Sequence, residues 1–188
     1  MPRIPLVSPD RLWDLADDPG LNPTNAMRTL ANAPTAFPTF KAVSTWVRQH
    51  AALDPRLREL AILQVGYAAR SAYVFSHHLK IAPGEGVVDA DIHDIVAESH
   101  GVPSGAGTTE LAVLRAAREM TLDVRMSGDT WQELEAALGT EVALELLLII
   151  SYYNHNVRWM AAVDLELEPD YAVLLEGWWP PAPPQPAA

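Results

Sequence analysis

Residues 54–82 read DPRLRELAILQVGYAARSAYVFSHHLKIA. This stretch predicts two helices end to end. Asp54 is a good N-cap and Pro55 suits the first helical turn. From Leu60 to Ala69 only Gln64 and Gly66 are not apolar, so the first helix has no wide solvent face and should be buried on most sides. Ser71 can cap a second helix, Ala72 to Ala82. At ~100° per residue, Val74, Phe75, Leu79, Ile81 and Ala82 form one apolar face with His78 at its middle. Tyr73, Ser76, His77 and Lys80 fall opposite. A histidine centred on an apolar face must find a hydrogen-bond partner or lose stability. Either a backbone carbonyl satisfies it as a core residue, or it exchanges protons: an ordinary imidazole pKa of ~6.5 allows that near neutrality.

The flanking sequence continues the helical pattern. Helices are expected over 25–33 and 36–50, separated by Pro34, with Phe37, Phe40, Val43 and Val47 on a buried face. After Ala82 the run PGEG is a turn. Short helices should cover 88–98, carrying His93, and 109–122. Ser127 caps a helix through Leu138, Gly139 breaks it, Thr140 caps again, and a long helix runs to about Val163. On that helix Ser151, Asn154, His155 and Arg158 are spaced to share one face. That face is either a helix end emerging into solvent or the polar wall of a pocket. No stretch shows strand-like alternation.

The expectation is one all-α domain over 24–179. A Pro-rich N-terminal arm, 1–23, packs on its own domain or on a neighbouring subunit. The tail at 180–188, PPAPPQPAA, is too rich in proline for a helix or central strand.

Composition narrows the function. The net charge of −11 argues against nucleic acid or an anionic membrane as partner. The chain has no cysteine, hence no disulfide, thiolate metal site or thiol nucleophile. No apolar run reaches signal-peptide or membrane-spanning length, so the expected location is cytoplasmic. Adjacent His77 and His78 diverge on a helix, and His93 and His100 do not have metal-motif spacing, so no metal is expected. No glycine-rich phosphate loop or GxSxG is present, and no cofactor is expected.

Glu59, the twelve residues to Ser71 and the seven more to His78, with the blocks RELAILQVG and SxYxxxHH, resemble the carboxymuconolactone decarboxylase and alkylhydroperoxidase-D-like superfamily. The likeness extends more weakly from about Asn25 to Asp170, including YYNHNVR at 152–158. In the peroxidase branch two cysteines stand where this chain has Ser71 and Val74. Their absence points to the decarboxylase-like branch.

The resemblance implies an all-α alkylhydroperoxidase-D-like fold and a homo-oligomer, trimer or hexamer. It implies His78 as general acid/base and Glu59 as the carboxylate that orients it. Candidate substrate-binding residues are Ser71, Tyr73, His77, Asn154, His155 and Arg158. Ser71 is also simply an N-cap. Asn154 and Arg158 match the family's pattern, whereas His155 departs from it. The implied activity is a cofactor-independent lyase or isomerase acting on a small cyclic or carbonyl-containing metabolite, acidic ones included. The competing function is a non-catalytic small-molecule-binding or scaffold protein of the same fold.

Overall fold

The computed structural model describes residues 2–179, and among them it contains helices and no strand. The fold is all-α, as the sequence predicts. In order, the helices are α1 Pro9–Ala16, α2 Asn25–Leu30, α3 Phe37–Gln49, α4 Pro55–Ala68, α5 Ala72–Ile81, α6 Asp89–Ser99, α7 Thr108–Leu122, α8 Gly128–Ala162 and α9 Pro169–Ala172. Two 3-10 turns cover Ala82–Glu85 and Val173–Leu175. The expected Pro-rich tail at 180–188 lies outside the described residues. No described helix is long and apolar enough to cross a membrane.

The chain forms two compact units. One takes the chain up to Ala51 together with Arg158–Glu168; the other takes Ala52–Val157 and the chain from Pro169.

In the first unit α1 is capped by Ser8, whose hydroxyl accepts from the Arg11 amide. It buries Leu12 with Val7, Ala31 and Phe37. Arg28 donates to the Val7 carbonyl at 2.7 Å. Arg3 pairs with Asp164 at 2.8 Å and donates to the Ala162 carbonyl. The N-terminal arm therefore packs on its own chain.

The second unit is built around α4. The Asp54 side chain accepts from the Leu57 amide, and Pro55 takes the first helical position. Every residue from Arg58 to Tyr67 is buried. Helices α5, α6 and α7 cover its sides, and Leu60, Leu63, Tyr67, Phe75, Ile92, Ile95 and Leu114 make the core. Gly66 sets the closest approach. A Cβ there would stand 3.0 Å from the Phe75 amide nitrogen and 3.2 Å from its Cα, so any larger residue would push α5 back by a few tenths of an ångström.

Ser71 caps α5 by accepting from the Val74 amide. The PGEG turn becomes the first 3-10 turn, closed by Gly86 at φ 91°. Gly139, at φ 75°, breaks α8, and Ser127 accepts from Thr130 at its start.

Two expectations need correction. Tyr73 and Ser76 do not face solvent: both are buried, and the Ser76 hydroxyl donates to the Tyr73 carbonyl one turn back. A hydroxyl bonded within its own helix can enter a core at little cost. The polar residues of α8 do not share one environment either. Ser151, His155 and Arg158 are exposed, while Asn154 is buried.

Candidate functional site

The centre of the second unit holds charge. Glu59, on the second turn of α4, is 2% exposed. His78, near the end of α5, brings Nδ1 to 2.6 Å from Glu59 Oε2. The short loop between α4 and α5 folds the two helices side by side, so residues 19 apart in sequence meet. A carboxylate accepting from Nδ1 places the proton on that nitrogen and fixes the ring. Nε2 is left for chemistry, and it has no hydrogen-bond partner among the described residues. The His78 side chain is 12% exposed. Tyr153 of α8 packs edge-on against the ring at 5.0 Å.

The other oxygen of Glu59 receives Arg58 Nε at 3.3 Å. Arg58 is itself buried, and its Nη2 lies 3.4 Å from Glu85. Burial pushes the Glu59 carboxyl up, but the His78 charge and hydrogen bond, followed by those of Arg58, outweigh it and hold the group below its ordinary range. The result is an ionised carboxylate in the interior, held by His78 on one oxygen and by Arg58 on the other. Sequence reading missed Arg58, because an arginine in a first helical turn looks solvated. A slight signal existed: Arg58 stands next to Glu59, at the edge of a run with no solvent face.

The structure places the other candidates as follows. Ser71 acts as the N-cap of α5. His77 points away from Glu59 and stacks between Tyr73 at 4.2 Å and Tyr171 at 3.7 Å. Lys80 lies over the far ring of this stack, 4.6 Å from the Tyr171 centroid. Asn154 donates to Thr121 Oγ1 of α7 at 3.0 Å and to the Ile150 carbonyl, which ties two helices together. His155 is exposed on α8. Arg158 is exposed and belongs to the first unit. The structure thus brings together Glu59 and His78, with Arg58 and Tyr153 beside them. Tyr73 and His77 form a separate aromatic stack.

Among the described residues of the second unit two clefts stand out, and neither is lined by Glu59 or His78. One of about 150 Å³ lies between Leu79, Pro83, Val88 and Trp178. One of about 350 Å³ lies between Tyr67, α6 and Trp178–Trp179. Among the described residues no group of three or more His, Asp or Glu side chains is placed to hold a metal ion.

Residues 32–119 match the model of the carboxymuconolactone decarboxylase family. That span takes in α4, α5 and the Glu59–His78 pair. No curated protein matches the chain. Among solved structures, the alkylhydroperoxidase AhpD core of an uncharacterized peroxidase-related protein from Ralstonia eutropha JMP134 superposes with a TM-score of 0.72. The identity is 17%, over 92% of this chain and 95% of that one. The debrominase Bmp8, as a cysteine-to-alanine variant in complex with 2,3,4-tribromopyrrole, superposes with a TM-score of 0.71. Its identity is 20%, over 89% of this chain and 88% of that one. At such identities the likeness is one of fold.

Proposed function

We propose that this cysteine-free member of the carboxymuconolactone decarboxylase and alkylhydroperoxidase-D-like superfamily is a cofactor-independent lyase or isomerase, with His78 as its general acid/base. The observation that carries this reading is the 2.6 Å contact between His78 Nδ1 and the buried Glu59 carboxylate. A carboxylate costs several kcal/mol to bury, and here it is buried beside the one atom that sets a histidine's tautomer. Thiol peroxidase chemistry needs a cysteine, and the chain has none.

The substrate class is a small cyclic or carbonyl-containing metabolite. In a decarboxylation the bond to the carboxylate breaks and carbon dioxide leaves. The electron pair moves onto the neighbouring carbonyl as an enolate. A protonated Nε2 stabilises that oxyanion, or gives its proton to carbon. In an isomerisation the same nitrogen, unprotonated, takes a proton α to the carbonyl and returns it elsewhere. Glu59 holds the ring and its charge throughout. Arg58 and Tyr153 surround this pair; Asn154 is already engaged with α7.

Self-association belongs to the same proposal. All-round apolarity of α4 does not argue for it, since neighbouring helices of one chain bury that helix. The argument moves to α8, where Leu144 and Leu148 are 53% and 52% exposed on one stripe with Ser151 and His155. A second copy covering that stripe would give a homo-oligomer, seen as a mass above 20.6 kDa in light scattering.

The test of catalysis needs no known substrate. A panel of cyclic ketones, lactones and β-keto acids is incubated with the protein in deuterated buffer. Exchange α to the carbonyl and release of carbon dioxide are followed by NMR. Turnover of at least one compound, lost in His78→Gln, is expected. A panel left untouched, or turnover that survives in His78→Gln, would overturn the reading in favour of a binding protein.

A further inference from the structure

The 350 Å³ cleft is built from side chains that the Glu59–His78 pair does not use. His93, Val96 and His100 recur at positions i, i+3 and i+7 of α6 and its cap, so they form one stripe, and that stripe lines the cleft. Tyr67 of α4 forms another wall. Its side chain is anchored edge-on against Phe75 at 5.4 Å and tilted against His100 at 6.4 Å. The residue is 3% exposed, yet its hydroxyl has no hydrogen-bond partner among the described residues. The oxygen itself is not sealed off, so water or a ligand in the cleft can reach it. Trp178 and Trp179 complete the cleft. Their amides both bond to the Leu175 carbonyl, which fixes the turn that carries them. His93 meets the Trp178 ring edge-on at 4.8 Å.

We propose that this cleft is a second small-molecule site, taking a planar aromatic ligand of one or two rings with an acceptor or anionic edge. Three features select that chemistry. The walls are indole, phenol and imidazole, which favour a flat π-system. The polar groups of the lining side chains can all donate: the Tyr67 hydroxyl, the two indole N–H groups and one nitrogen of each imidazole. Burial pushes the Tyr67 hydroxyl up, so it stays protonated and donates at neutral pH. Among the described residues no carboxylate lines the cleft. The nearby acids of α6 are engaged elsewhere: Asp94 accepts from the Gly105 amide and Glu98 from Arg118. The volume is at the small end of ligand pockets. The site is also separate from the proposed catalytic pair. Tyr67 lies eight residues beyond Glu59 on α4, ~12 Å along the helix.

The full chain is titrated with 2-naphthoate while the indole N–H signals are followed by NMR, assigned with Trp178→Phe and Trp179→Phe. The saturated cyclohexanecarboxylate serves as comparator. Saturable, submillimolar shifts of the Trp178 and Trp179 signals are expected, with cyclohexanecarboxylate at least about tenfold weaker. Tyr67→Phe keeps the ring against Phe75 and removes only the hydroxyl; it should weaken 2-naphthoate about tenfold. The proposal fails if the shifts do not saturate in the millimolar range, if the two acids bind equally, or if Tyr67→Phe changes nothing. It also fails if the indole signals move with protein concentration alone, because a second copy then fills the cleft.

Discussion

Two arginines stand two residues apart on α4 and have different surroundings. Arg56 is about a third exposed and reaches outward, with Nη2 2.5 Å from Asp91 of α6 and Nη1 2.8 Å from Glu110 of α7. Arg58 is 6% exposed and turns inward to Glu59 and Glu85. Two residues on a helix are separated by ~200°, so one side faces the rim and the other the core. At the rim, water screens the charges and the ion pairs mainly tie helices together. In the core, the same kind of pair holds a carboxylate ionised against a histidine.

The comparison is broken or sharpened first by activity. In the exchange assay, His78→Gln should lose ~10²–10⁴-fold. Glu59→Gln should fall in the same direction, and the double change should cost less than the product of the single losses. His77→Gln, which removes a ring stacked on Tyr73 and Tyr171, should cost less than about tenfold. Equal losses at both histidines would mean that the inward charge cluster is not the centre of the chemistry.

Stability separates the arginines themselves. Arg58→Met leaves the buried Glu59 with one partner and should cost about 3 kcal/mol in urea unfolding. Arg56→Met should cost no more than about 1 kcal/mol. If the two variants unfold together, the contrast between rim and core has no energetic content.

The smallest effect is the acid limb. Hydrogen bonding to Arg56 pulls the Glu110 carboxyl below its ordinary value of 4.5 despite partial desolvation. Glu59 lies below the same ordinary value because His78 and Arg58 outweigh its burial. A carboxylate depressed in the folded state stabilises it above the ordinary value, and that stabilisation is lost as pH falls through the folded value. Both therefore lose stability on acidification. Glu59→Gln should flatten the unfolding free energy below pH ~5 more than Glu110→Gln does, since Glu110 is closer to solvent. The reverse order would place the more strongly coupled carboxylate at the rim.

Much of this was legible in the sequence because it depends on neighbours along the chain. Asp54, Pro55 and Ser71 announce helix starts, and Gly86 and Gly139 mark where the backbone must turn left-handed. The apolar run from Leu60 announced a buried helix. The spacing of Glu59 and His78 could be read only through a family pattern, since nothing local says that they touch. What escaped depends on three-dimensional surroundings. Arg58 reads as solvated until the 3-10 turn bearing Glu85 folds over it. Asn154 reads as one of a polar row until α7 presents Thr121. Tyr67 and Trp178 lie 111 residues apart, and no periodicity connects them.

The short span between Glu59 and His78 also has a consequence for how the protein folds. Joining them closes a loop of only 19 residues, and the loop-closure entropy rises with length. The three residues linking α4 and α5 and the bare backbone at Gly66 let these helices pair without waiting for distant chain. Contacts of low sequence separation form early. The α4–α5 hairpin is therefore the natural nucleus of the second unit. The chain's chemistry is assembled in that nucleus, while the α6 stripe and the tryptophan turn arrive with the slower, longer-range closures.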